Sequence, residues 1–206
     1  STSERDRFRT RLERRADGKT EIYITHRGME EVYSNSNKDS TIWQPRPSDP
    51  ELETEFLRRL MIKLGTSEEQ SKALIASAAA QGGNTTSSVK IITVADAPAL
   101  AMQEPFDRAW RIVGVALDRT GFTVEDRDRS QGVYFVRYVD PGEGKKEPGF
   151  FSKLFSSSEA IPPLKYRVLV RSTTSQSVVS VLDANGNPDT SANAARIIKV
   201  LVDDLK

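Results

Sequence analysis

His26 is the one histidine of this chain, so any Ser/His or Cys/His triad would have to use it as its base, and there is no cysteine to serve as nucleophile. It stands beside Arg27-Gly28 at the expected end of a strand, with nothing nearby that reads as a nucleophile elbow. A hydrolase is therefore poorly supported, and His26 reads as structural. A zinc site asks for several His or Cys ligands, which this composition lacks. Asp183-x-Asn185-x-Asn187-x-Asp189 spaces oxygen ligands at alternate positions, as a calcium loop does. The bidentate glutamate expected at the twelfth position is replaced by Ala194, so Asn185-Gly186 reads as a turn and Asp189 or Thr190 as a helix cap. Gly142-x-Gly144 and Gly82-Gly83 lack the strand, helix and Lys-Ser/Thr of a phosphate loop. Asp203-Asp204 belongs to the solvent side of the last helix. We expect no catalytic residue, no metal site and no cofactor.

Two features suit recognition better than catalysis. Arg5, Arg7, Arg9 and Arg11 alternate with Phe8, Thr10 and Leu12, which puts the four arginines on one strand face, successive ones ~6.6–6.8 Å apart. The plain reading is a solvated face paired to Glu21 across a hairpin; the sharper one is contact with lipid head groups or an acidic partner. Gly149-Phe150-Phe151-Ser152-Lys153-Leu154-Phe155 is an apolar loop between strands, so Phe150, Phe151, Leu154 and Phe155 either fold back over their own sheet or meet a protein or membrane.

Those residues need elements to hold them. Alternation over 5–13, the turn dipeptide Asp17-Gly18, and Ile22 and Ile24 alternating with Glu21, Tyr23 and Thr25 predict a hairpin. A polar loop is expected to run from there to Pro47. Asp49 can cap a helix with Pro50 at its first position, and Leu52, Phe56, Leu60 and Leu64 form its apolar stripe. Two strands and one helix close a core poorly, so residues 1–65 read as the back half of a domain. Residues 66–88 read as a linker, partly helical over Ser67 to Ala80 and then Gly/Ser/Thr-rich. Residues 89–206 read as a second domain. It begins with an apolar extended stretch from Val89 to Met102 leading into an edge strand. Next comes a helix presenting Phe106, Ala109, Trp110, Val113 and Leu117, then strands begun by Phe122 and Val124 and carrying Tyr134, Val136 and Tyr138. Leu164, Tyr166, Val168 and Val170 face inward in a further strand, and Val178 to Leu182 is another. The last helix presents Ala195, Ile198, Leu201, Val202 and Leu205. The strand–hairpin–strand–helix order of the first part parallels that of the last, which reads as a duplication. The fold class is α+β.

Composition narrows the partners. Thirty basic against 29 acidic side chains give a net charge of +1, without the basic field that nucleic-acid binding needs. Without cysteine there are no disulfides. No apolar run approaches the ~18 residues of a membrane helix, and no signal peptide opens the chain. Ser1-Thr2-Ser3 leads at once into the first strand, and we expect a fragment trimmed at its N-terminus.

The stretch from Glu104 to Tyr138 is the most specific. Pro105-Phe106-x-x-x-Trp110 is followed at a fixed distance by Gly121-Phe122-x-Val124-x-Asp126-x-x-Arg129-Ser130-Gln131-Gly132 and then Val133 to Tyr138. Phe106 and Trp110 read as core, Asp126 as a hydrogen-bond acceptor for the turn, and Gly132 as the source of an unusual backbone angle. This run resembles the C-terminal domain of the BamC family, also called NlpB or DapX, strongly over 99–139 and more weakly over 164–205. The Phe-rich loop departs from the shorter connection of some members.

The resemblance implies two helix-grip domains, each an antiparallel sheet wrapped against a C-terminal helix, the first of them incomplete. It also implies a non-catalytic accessory lipoprotein of the outer-membrane β-barrel assembly machinery of Gram-negative bacteria. Such a protein is anchored by lipid on the presumed periplasmic side of the outer membrane. The family's partner is BamD, a tetratricopeptide-repeat lipoprotein gripped through an unstructured N-terminal segment, so weak or absent binding is implied for this chain. The rival reading is a carrier of a small apolar ligand in a helix-grip cavity, which a filled core would argue against.

Overall fold

A computed structural model of the chain describes residues 3–82, 88–138 and 164–206. The chain is α+β, with antiparallel sheets and, among the described residues, four helices, and it divides into two compact units, Ser1–Thr86 and Ser87–Lys206.

In the first unit, β1 (Glu4–Arg14) and β2 (Thr20–Tyr33) form the expected hairpin, and β3 (Thr41–Arg46) pairs with the far half of β2 in the order β1-β2-β3. The polar loop expected up to Pro47 is thus largely sheet. Its strand character was hidden because polar pairs replace apolar ones: Gln44 Nε2 donates to Glu30 at 2.8 Å and the Thr41 hydroxyl to Glu31 at 2.6 Å. His26 accordingly sits mid-strand, not at a strand end. Helix α1 (Pro50–Lys63) starts as its sequence dictates. The Asp49 carboxylate accepts from the Glu51 and Leu52 N–H groups, and Pro50 occupies the first turn. Helix α2 (Glu68–Gly82) follows, tied to α1 by Arg58–Glu68 at 3.5 Å.

Among the described residues of this unit, the buried side chains are polar: Glu13, Thr25, His26, Glu53 and Ser71. Its apolar stripe is thinly covered. Phe56 stacks on Phe8 at 3.7 Å, yet Leu64 stays 69% and Leu12 59% exposed.

The second unit has a conventional core. Strands β4 (Val89–Val94), β5 (Ala97–Met102), β6 (Thr123–Asp128), β7 (Val133–Tyr138), β8 (Leu164–Ser172) and β9 (Ser177–Leu182) form one antiparallel sheet in the order β4-β5-β9-β8-β7-β6. Helices α3 (Phe106–Arg119) and α4 (Ala192–Asp204) contribute Ala109, Trp110, Val113 and Leu117, and Ala194, Ile197, Ile198, Leu201 and Val202, to a core shared with Leu100, Phe122, Tyr134, Val168 and Val181. Four details depart from the sequence reading. The 89–102 stretch is a full hairpin with β4 at the sheet edge, turning on Ala95 and Asp96 at positive φ. Leu164 is exposed, being the first residue of its strand. On α4, Ala194 and Ile197 join Ile198, Leu201 and Val202 in facing inward, while Ala195 is exposed; the helix starts at Ala192, with Ser191 Oγ accepting from Ala194 N–H, and Asp189 instead accepts from Ser191 N–H. Asp204 is half-buried and faces Arg119 at 3.9 Å. Phe150, Phe151, Leu154 and Phe155, the Gly142-x-Gly144 stretch and the Gly/Ser/Thr-rich residues 83–87 lie outside the described residues.

Candidate functional site

Odd-numbered residues of β1 pair with odd-numbered residues of β2, so Arg5, Arg7, Arg9 and Arg11 share a face with Tyr23, Thr25, Arg27 and Met29, and on β3 with Trp43. Helix α1 lies on the opposite face, where Phe8 meets Phe56. The arginine stripe is therefore wider than the sequence showed. Arg27 stands directly across from Arg7 in the ladder, and reading β2 as ending at Thr25 had hidden it. The ends of the stripe are engaged. The Arg5 guanidinium lies 4.1 Å over the Trp43 ring, and Arg11 lies 4.2 Å over Tyr23 with its Nη1 2.8 Å from Glu13. Glu21 pairs with Arg15 at 3.0 Å and accepts from the hydroxyl of Tyr23, which lies on the stripe's own face.

On the helix face, His26 joins three elements. Its Nδ1 accepts from the Asp49 N–H at 2.9 Å and its Nε2 lies 2.8 Å from Asp6 Oδ1, a pattern that assigns the proton to Nε2. Its backbone N–H donates to Glu53 at 3.0 Å, and its carbonyl accepts from the Ser48 hydroxyl at 2.7 Å. The ring is fully buried. Among the described residues no serine hydroxyl bonds the ring, so the geometry is that of a structural knot between β1, β2 and the start of α1.

The hydrogen bond from His26, aided by the Arg46 charge and opposed by burial, holds the Asp6 carboxyl below its usual value of 3.8. A depressed carboxyl stabilises the fold above its unfolded pKa, and that contribution fades as pH falls through the folded value. We expect Asp6→Asn to destabilise the first unit fully at pH 6, with the difference from wild type shrinking as pH falls below 3.8 and through the depressed folded value. Urea midpoints across that range check this, and a gap that persists in acid would refute it.

The Glu104–Tyr138 signature gathers in the second unit. Trp110 is fully buried and stacks on Tyr134 at 3.9 Å, and the Tyr134 hydroxyl donates to the Trp110 carbonyl at 2.8 Å. Pro105 precedes α3, and Phe106 lies 5.8 Å from Trp110. Gly121 ends α3 with φ +88°. The 129–132 turn closes with Gly132 N–H donating to the Arg129 carbonyl, and Gly132 takes φ +69°. The acceptor that holds the turn is Asp128, not Asp126. It takes bonds from the Ser130 hydroxyl at 2.6 Å and the Gln131 N–H at 3.0 Å, which lower its pKa, whereas Asp126 accepts from Arg127 N–H. A register shift between Val124 and Asp126 moves the turn acceptor along the chain. Arg129 pairs with Asp107 at 2.8 Å, and Arg129, Ser130, Gln131, Gly132, Phe106 and Arg171 line an open groove of about 240 Å³. Between helices and sheet, by contrast, the space is filled by Trp110, Phe122, Tyr134, Leu100 and Leu117, so the apolar-carrier reading is not supported. The Asp183 turn is closed by its own backbone: Asp183 accepts from the Asn185 and Asn187 N–H groups at 2.8 and 2.9 Å. No cluster of metal-ligating side chains occurs among the described residues.

Residues 90–205 match the sequence model of the Outer membrane protein assembly factor BamC-like C-terminal domain, more than half of the 206 residues. The chain belongs to the BamC family. It is 51% identical, over its whole length, to the outer membrane protein assembly factor BamC of Accumulibacter regalis and covers 55% of that protein. It is 46% identical to the protein of the same name from Thiobacillus denitrificans, covering 56% of it. An uncharacterised Neisseria meningitidis protein is 30% identical over the full chain, with 52% of its own length covered. The chain thus spans a little over half the length of each of these relatives.

Proposed function

We propose that this chain is the folded part of a non-catalytic accessory subunit of the outer-membrane β-barrel assembly complex, acting through protein–protein contacts. The family match over 90–205 carries this reading. The filled core of the second unit supports a rigid recognition module rather than a carrier. Each unit is taken as a helix-grip domain. In the second, an antiparallel sheet packed against α3 and α4 supports this. In the first, exposed Leu12 and Leu64 support the C-terminal part of a domain whose remaining elements lie in the half of the family's length outside this chain. Residues 66–88, α2 included, connect the two domains, and the reach of that connection sets how partners are bridged. Native anchoring is by lipid to the outer membrane, on its periplasmic side. No helix among the described residues is long and apolar enough to cross a membrane.

The partner in this reading is a BamD-like tetratricopeptide-repeat lipoprotein, with the main affinity outside this chain. Calorimetric titration of that partner with this chain and with the full-length family protein tests it. Binding by the full protein, with weaker or no binding by this chain, is expected. Binding by neither would overturn the functional reading.

A further inference from the structure

The centre of the arginine face is unusual in what it lacks. Arg7 and Arg27 are exposed, stand opposite each other in the ladder, and make no ion pair with a carboxylate among the described residues. Arg9 is the next stripe residue along, and partial desolvation together with the charges of Arg7 and Arg9 holds Arg27 below the ordinary guanidinium range. Like charges directly across a ladder are destabilising, so this arrangement costs the isolated sheet stability. Beside them on the same face, Thr25 is buried and its hydroxyl has no hydrogen-bond partner among the described residues. Aromatic side chains flank the cluster: Trp43 beneath Arg5, Tyr23 beneath Arg11, and Tyr33 further along β2, 44% exposed. The acidic groups of this face, Glu13, Glu21 and Glu31, lie toward its ends, where Glu13 pairs with Arg11, Glu21 with Arg15, and Glu31 is bonded by Thr41.

We propose that the face of the first sheet centred on Arg7 and Arg27 docks on an anionic phospholipid surface, these two guanidinium groups taking lipid phosphates. Charge complementarity selects the occupant. Guanidinium forks suit phosphate oxygens, and a bound anion removes the repulsion that the sheet otherwise carries. The arrangement of the aromatics favours a lipid surface over an acidic protein. A protein interface centres on buried apolar anchors with charge at the rim, whereas here the charge is central and Trp and Tyr flank it, the composition of a membrane–water interface. This docking does not depend on the assembly partner, so it stands or falls apart from the reading above.

The test is flotation of the whole chain with vesicles of phosphatidylcholine alone and of phosphatidylcholine mixed with phosphatidylglycerol. Binding to the mixed vesicles only, weakening as salt is raised, is expected. Arg7→Glu/Arg27→Glu should lower the partition onto anionic vesicles by about tenfold or more, with the circular dichroism spectrum unchanged. Arg7→Lys/Arg27→Lys should retain binding. Lys199→Glu/Lys206→Glu, an equal change of net charge on α4 and the C-terminus, should leave it as it was. Equal loss in that control, wild-type failure to float with anionic vesicles, or binding to polyglutamate in place of vesicles would each overturn the proposal.

Discussion

Replacing His26 by alanine is expected to destabilise the first unit by about 3 kcal/mol and to leave the second unit untouched. The substitution strands the Asp49 N–H at the start of α1, removes the donor to Asp6, and takes away the ring that lies 5.2 Å from Phe8. A unit with a full apolar core would absorb such a loss. This one has no buried apolar side chain among its described residues, and its sheet–helix junction rests on the His26 ring contacts with Asp6 and Asp49, together with the main-chain bonds to Ser48 and Glu53 that the substitution keeps and the Phe8–Phe56 stack. The sequence supplies its own reporters, since Trp43 lies on β3 and Trp110 in the core of the second unit, and there are no other tryptophans. With 5-fluorotryptophan incorporated, each unit gives one fluorine resonance. In the His26→Ala protein the Trp43 signal should convert to its unfolded position at lower urea, with the Trp110 signal unmoved. A shift of both signals together, or of neither, would refute this account.

Gly132→Ala is expected to cost the second unit about 3 kcal/mol. Alanine at φ +69° carries a backbone penalty, and its Cβ would lie 2.4 Å from the Val170 carbonyl oxygen. That oxygen cannot retreat cheaply, because the Val170 N–H donates to the Gly132 carbonyl at 2.7 Å and fixes the two backbones together. Gly186 supplies the control in the same unit. Its φ is +92°, but an added Cβ would meet only the end of the Arg167 side chain, which can swing aside at the loss of one exposed hydrogen bond to the Ala184 carbonyl. Gly186→Ala should therefore show the backbone penalty alone, about 1 kcal/mol. Urea unfolding followed by the Trp110 signal separates the two, and equal losses would show that the contact with β8 is not the source of the cost.

What the sequence made readable follows the strength of its periodicity. Helix α3 and strands β7 to β9 carry large apolar residues at regular spacing and face one core, so their inward residues could be named in advance. The second half of β2 and the whole of β3 carry glutamate, glutamine and threonine at pairing positions, and their side-chain bonds form only once the strands are aligned. Missing β3 cut β2 short and hid Arg27, which joins the arginine stripe through register alone. The role of His26 was hidden for a similar reason. Its ring partners lie 20 residues before it and 23 after it, and no local spacing announces them. The signature turn was located correctly but its acceptor was placed two residues early, since an irregularity in β6 has no mark in composition.

The contrast between the two interiors reaches into their thermal behaviour. The heat capacity of unfolding comes from newly wetted apolar surface, and exposed polar surface subtracts from it. The second unit therefore has the strongly curved stability profile of an ordinary domain. The first, held by a charged and hydrogen-bonded junction, has a small heat-capacity change and a nearly flat profile. Cooling weakens the apolar core of the second unit while leaving the first almost indifferent, so the order in which the two halves loosen depends on temperature.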